Sequence, residues 1–189
     1  ISGDVSGSPE SLPEEWKLIR GYLTGPSAVL TGADFSGVNL EGMDLSEAEM
    51  SGVSSGGVEG IPLQLPDDWN LINGYLIGPR ANLSGIDLKE MDLSQANLNG
   101  ISSGSVKGEP AALPENWNIV KGYLVGPTAN LQEANFSEVD FSDANLSGTN
   151  LTDVNFTKAN LKKIVDVPMV SGAIAKAFFE ALGGGRRKN

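Results

Sequence analysis

Residues 129–161 read ANLQEANFSEVDFSDANLSGTNLTDVNFTKANL. A large apolar residue returns at every fifth position: Leu131, Phe136, Phe141, Leu146, Leu151, Phe156 and Leu161. Two positions before each stands a smaller residue: Ala129, Ala134, Val139, Ala144, Thr149, Val154 and Ala159. A helix wants apolar residues about 3.6 apart and a strand about 2 apart, so this period suits neither. A short straight side followed by a corner, repeated, does suit it. On each side the large and the small apolar residue point inward. The residue between them points out, and here it is Asn130, Asn135, Asp140, Asn145, Asn150, Asn155 and Asn160. The two remaining positions are rich in Ser, Gly, Thr and Glu, as corners require.

The same pattern extends towards the N-terminus. Leu30, Phe35, Leu40, Leu45 and Met50 form one block, with Asp34, Asn39 and Asp44 among the outward residues. Leu83, Leu88, Leu93 and Leu98 form another, with Asn82, Asp87, Asp92 and Asn97 outward. Coils built this way would stack backbone on backbone at about 4.8 Å. Each repeat buries little alone, so stability comes from its neighbours. Asn-x-Ser/Thr at Asn82, Asn135, Asn145, Asn150 and Asn155 is generated by the period itself and says little about glycosylation.

These stretches, with ANLSGIDLKEMDLSQANLNG at 81–100, resemble the pentapeptide-repeat family and its A-[D/N]-L-x-x pattern. The resemblance implies an all-β fold, a right-handed quadrilateral β-helix solenoid with four pentapeptides per coil and ladders of Leu or Phe inside. The expected organisation is a β-helix over 1–166 and a distinct C-terminal segment over 167–189.

A longer unit is nested over the short one. LPEEWKLIRGYLTGPSAVL, LPDDWNLINGYLIGPRANL and LPENWNIVKGYLVGPTANL place tryptophans at Trp16, Trp69 and Trp117, spaced 53 and 48 apart. The intervals differ by one pentapeptide. From first to last Leu each unit spans 18 positions, which is not a multiple of five, so the units (about 12–29, 65–82 and 113–130) are insertions. Asn73-Gly74 flanked by apolar residues predicts a hairpin with a two-residue turn, and Arg20-Gly21 and Lys121-Gly122 hold the same place. Before the later two units the ladder holds Ser55 and Gly60, then Ser103 and Gly108. Small residues there are expected to leave interior space, which Trp69 with Tyr75 and Trp117 with Tyr123 would cover. The other reading makes Trp16, Trp69, Trp117, Tyr22, Tyr75 and Tyr123 exposed anchors for a partner. The chain opens part-way through such a unit, so further repeats are expected upstream.

Composition narrows the chemistry. There is no Cys and no His, so thiol nucleophiles, disulfides and the commonest general base are excluded. Paired carboxylates, such as Asp67-Asp68, stand without a base, a phosphate-cradling loop or a twelve-residue calcium loop. No enzymatic activity, cofactor or metal is expected. No apolar run is long enough to cross a bilayer.

Net charge is −11. From Lys162 onward six basic residues face Asp166 and Glu180, a net of +4 that leaves −15 elsewhere. An acidic body repels phosphates, so direct nucleic-acid binding is not expected. In the tail, Pro168 and MVSGAIAKAFFEAL predict a short capping or docking helix that carries Phe178 and Phe179, closed by three glycines and a basic end.

Two functions follow as expectations. The first is a scaffold presenting a rigid repeat surface to other proteins, or to its own copies through the tail helix, in a cell-surface, virion or other assembly. The second comes from the resemblance: some members are acidic mimics of DNA that occupy a type II topoisomerase. For that role the outward column Asp34, Asp44, Glu49, Asp87, Asp92 and Asp140 would be the site.

Overall fold

The computed structural model describes residues 3, 5–142, 144–162 and 164. Val29 pairs with Glu49, Asp34 with Ser54, Asn39 with Glu59 and Asp44 with Gln64, each bridge parallel and each 20 residues long. Four sides of five residues therefore make one coil. The offset recurs from Asn82 to Ser102 and from Asn130 to Asn150, among others. This is a β-helix-like repeat fold.

Two hydrogen bonds secure each pairing at this 20-residue offset. Phe35 donates its N–H to the Ser54 carbonyl at 2.8 Å, and Ser54 donates to the Ala33 carbonyl at 3.0 Å. Between sides the chain turns through the left-handed region two positions after most of the ladder residues. Gly32, Gly37, Gly42 and Gly52 turn there with φ of 66–73°. Elsewhere Glu47, Glu90, Glu133, Glu138 and Lys158 take the same corner with φ of 57–62°. A side chain in that region costs about 1–2 kcal/mol, which glycine avoids.

The interior is a stack of apolar rungs. Leu30, Leu40, Leu45, Leu88, Leu93, Leu146 and Leu161 have no exposed surface, and Phe35, Phe136, Phe141 and Phe156 have 1% or less. In the third block the phenylalanines touch one another. Ring centroids of Phe136 and Phe141 lie 4.9 Å apart, edge to face, and Phe141 and Phe156 lie 5.8 Å apart. Thr149 occupies a small-residue rung, and its hydroxyl donates to the Leu146 carbonyl at 2.7 Å.

Where a unit intervenes, the bridge offset lengthens to 28, from Ser54 to Asn82 and from Ser102 to Asn130. The extra length is an eight-residue antiparallel hairpin. The three are β1 (Lys17–Ile19) with β2 (Tyr22–Thr24), β3 (Asn70–Ile72) with β4 (Tyr75–Ile77), and β5 (Asn118–Val120) with β6 (Tyr123–Val125). Each tip is a two-residue turn with positive φ at both positions: 48° and 80° at Arg20-Gly21, 48° and 78° at Asn73-Gly74, 47° and 75° at Lys121-Gly122. That is the turn whose twist matches paired strands, and its second position suits glycine.

The hairpins are not evenly arranged around the coil. Asn82 and Asn130, which follow the second and third hairpins, stack in one column through Ser102. Val29 follows the first hairpin and stacks with Glu49, one side away from the Asp34–Ser54–Asn82 column. The second and third hairpins therefore leave the same side of the coil, and the first leaves a quarter turn from them.

The interior beside the hairpins differs from the expected gap. Leu76 and Ile77 of β4, and Leu124 and Val125 of β6, are the buried residues there, at 2% exposure or less. Ser55 Oγ accepts the Leu76 N–H at 2.8 Å, and Ser103 Oγ accepts that of Leu124 at 2.9 Å. Gly60 and Gly108 mark tight approaches rather than vacancies. A Cβ on Gly60 would lie 2.5 Å from Asn39 Oδ1 and 2.6 Å from the Glu41 nitrogen. The tail expected to be helical, 167–189 with Phe178 and Phe179, lies outside the described residues.

Candidate functional site

Two sets of residues bear on function: the hairpin units, and the outward Asp/Asn columns. In each unit a turn opens the insertion, as Trp16, Trp69 and Trp117 donate their backbone N–H to Pro13, Pro66 and Pro114. The indole then lies flat on the glycine that ends the hairpin. A Cβ on Gly25, Gly78 or Gly126 would meet the indole Cδ2 of Trp16, Trp69 or Trp117 at 2.7, 2.4 or 2.3 Å. Only a residue without a Cβ admits that ring. Trp69 and Trp117 are 8% exposed and Trp16 is half-buried, so the two inner indoles offer a partner little area.

The tyrosines pack on the other flank. The rings of Tyr22, Tyr75 and Tyr123 lie over Gly3, Gly56 and Gly104, where a Cβ would sit 3.4, 3.1 and 3.3 Å from Cε1. All three are half-buried against the core. The Tyr75 hydroxyl accepts the Asp87 N–H at 3.4 Å, and Tyr123 meets Phe136 edge-on with centroids 5.2 Å apart. The tips reach the next coil. Arg20 Nη1 lies 2.6 Å from Asp34 Oδ2, and Lys121 Nζ donates to the Ser137 carbonyl at 2.5 Å. Below the second hairpin an open groove of about 530 Å³ runs past Met50, Trp69, Pro79, Arg80, Asn99 and Thr128.

The outward residues have a local task. Asp34 Oδ1 accepts the Ser36 N–H, Asp44 that of Ser46, Asp92 that of Ser94 and Asp140 that of Ser142, at 2.8–2.9 Å. Each oxygen thereby shapes the corner that follows it. These bonds hold the four carboxyls below the usual Asp range, through the Ser36 hydroxyl first for Asp34 and the Ser46 N–H first for Asp44. For Asp92 the Ser94 N–H leads, and for Asp140 the Ser142 hydroxyl. Asp87 makes the same turn with Lys89 at 3.0 Å, while Glu49 is exposed in the Val29 column.

The carboxylates do not form an unbroken column. Asp34 is stacked with Ser54, Asn82, Ser102, Asn130 and Asn150. Asp44, Asp92 and Asp140 bridge to Gln64, Ala112 and Asn160, so each Asp has a neutral neighbour. Among the described residues no group of three His, Cys, Asp or Glu could hold a metal ion, and no helix is long and apolar enough to cross a membrane.

Eight copies of the family described as Pentapeptide repeats match over residues 27–54, 80–101 and 129–164. These three stretches are pentapeptide repeats. The unmatched intervals 55–79 and 102–128 hold the second and third hairpins together with the coil sides that precede them. No curated protein matches this pentapeptide-repeat chain.

The glycines under the indoles were not singled out from sequence. The available signal was the second Gly of GYLxGP, three times at the same place, with the first Gly already assigned to the turn.

Proposed function

We propose that this pentapeptide-repeat protein is a non-enzymatic scaffold, a right-handed four-sided rod that presents its hairpin units to partner proteins within a larger assembly at a cell surface, in a virion or in a complex. The supporting observation is that the coil carries three copies of one added unit, two of them on the same side and in the same register. Additions that merely tolerated the coil would have no reason to repeat its phase. The indoles of Trp69 and Trp117, buried with the core cluster, act as pegs that fix the second and third hairpins to the coil. Contacts fall to the exposed strand positions, the tips and the groove beside Arg80.

Affinity capture with the full chain tests this, beside a variant whose Leu65–Leu83 interval is cut from 18 positions to ten by two plain pentapeptides. Capture of assembly subunits by the parent chain alone is the expected result. Equal capture by both chains would remove the hairpins from the proposal. The DNA-mimic reading draws on the four carboxyls held ionised at Asp34, Asp44, Asp92 and Asp140. It is the weaker reading, because neutral residues interrupt the columns. Recovery of topoisomerase subunits would reverse that order.

A further inference from the structure

The sequence holds two Asn-Gly steps, Asn73-Gly74 and Asn99-Gly100. The structure treats them oppositely. Asn99 and Gly100 sit in the coil with both backbone N–H groups and both Asn99 carbonyl oxygens engaged. The Asn99 N–H donates to Asn97 Oδ1 at 3.0 Å, and its carbonyl accepts the Arg80 N–H at 2.8 Å. Its Oδ1 accepts the Thr128 hydroxyl at 3.1 Å, and that same hydroxyl accepts the Gly100 N–H at 3.2 Å. The nucleophile and the carbonyl of a cyclisation are thus both clamped by one side chain. Asn73 is exposed at a hairpin tip, and no hydrogen bond holds its side chain or the Gly74 N–H among the described residues. Such tips open at small cost.

We propose that Asn73 is a site of spontaneous, irreversible deamidation, and that the coil shields Asn99 from the same reaction. The Gly74 nitrogen attacks the Asn73 side-chain carbonyl carbon, unhindered by any Cβ on Gly74. A C–N bond forms, and the side-chain amide leaves as ammonia with the Gly74 proton. Water then opens the cyclic imide at either carbonyl, giving aspartate or isoaspartate. One water is consumed and one ammonia released, with no oxidant or enzyme.

The product would act on one hairpin only, since Arg20 and Lys121 occupy the equivalent tips and cannot react this way. Asp87 follows Asn73 by the same 14 positions that separate Arg20 from Asp34, which meet at 2.6 Å. A carboxylate at 73 would therefore stand towards Asp87, a like charge where the first hairpin has an ion pair. Isoaspartate also adds a backbone carbon to a turn that fixes Ile72 opposite Tyr75, and displaces the Gly74 carbonyl from the Val58 N–H at 2.9 Å. Conversion loosens the second hairpin and leaves the others in place. The inference stands apart from the scaffold reading.

The test is prolonged incubation of the folded full chain at mildly alkaline pH, followed by digestion and mass spectrometry, with urea-unfolded chain as reference. In the unfolded chain both sites should convert alike. In the folded chain Asn73 should gain one mass unit and split into two isomeric peptides, with Asn99 about ten-fold or more behind, as loss of its bonds must precede reaction. Thr128→Val should raise the Asn99 rate, and Asn73→Arg should abolish the change at the hairpin. Equal rates at Asn73 and Asn99 in the folded chain, or an intact Asn73 when the unfolded reference has converted, would overturn the proposal. An unmoved Asn99 rate in Thr128→Val would overturn the shielding.

Discussion

The first two blocks and the last coil make the same corner with different chemistry. In 28–50 and 81–98 the corner oxygen often belongs to an aspartate: Asp34, Asp44, Asp87 or Asp92. In 145–160 it belongs to Asn145, Asn150 or Asn155, each accepting the N–H two residues on at 3.0–3.1 Å. Asparagine keeps a spare donor. Asn150 Nδ2 donates to Asn130 at 2.9 Å, Asn155 to Asn135 at 3.1 Å, and Asn160 to Asp140 at 2.9 Å. The last coil is thus tied to its neighbour by side chains as well as backbone. The earlier blocks use a charge that shapes the turn strongly but has no hydrogen to pass on. One position therefore serves two ends, local turn geometry and coil-to-coil cohesion, and only the amide serves both.

Four measurements would break or sharpen this contrast. The largest effect belongs to the core, where the two regions also differ. Phe136→Ala removes the centre of the aromatic stack and should cost about 4 kcal/mol, against about 3 for Leu88→Ala, read by denaturant titration. A reversed order would mean that the stacked rings add nothing to the third block. Next, Asn155→Asp keeps the corner acceptor but deletes the donor to Asn135. It should cost about 1 kcal/mol at neutral pH, and less in acid, where the carboxyl regains a hydrogen. No difference from the parent chain would demote the amide ladder to ornament.

Acid provides the third. Asp34, Asp44, Asp92 and Asp140 have folded pKa values below the ordinary 3.8. Their contribution is complete above the unfolded value and is lost as pH falls through the folded ones. Hydrogen exchange should therefore accelerate in 28–50 and 81–98 before it does in 145–161 as pH drops below about 4. Uniform acceleration would show that the corners do not carry the acid response. The smallest effect concerns Lys158, whose Nζ lies 3.2 Å from Glu138 Oε1 with both side chains exposed. Lys158→Ala should shift stability by no more than about 0.5 kcal/mol.

Much of this was legible in the sequence, for a physical reason. A five-residue period is read locally, so Leu131, Phe136 and their kin declare themselves as interior without any knowledge of the fold. The Asn-Gly turn at residue 73 is equally local. The amide ladder is not, because Asn130 and Asn150 meet only once the coil closes at 20 residues. Depth within the hairpins was not legible. The indole of Trp69 is buried with the core cluster and lies over Gly78. The slimmer Leu76 and Ile77 go inside. Nothing in LPDDWNLINGYLIG ranks those four residues by depth until strand register assigns the faces.

The two hairpins that share a side recur after two coils, about 10 Å at the usual strand spacing. A partner with two like footholds at that distance would hold both at once. Its second grip would be intramolecular, multiplying affinity without any new kind of contact. The first hairpin faces elsewhere and is excluded from that grip. Because one pentapeptide is one side of the coil, gain or loss of five residues between units changes valency from two to three or to one, with no residue altered at any contact.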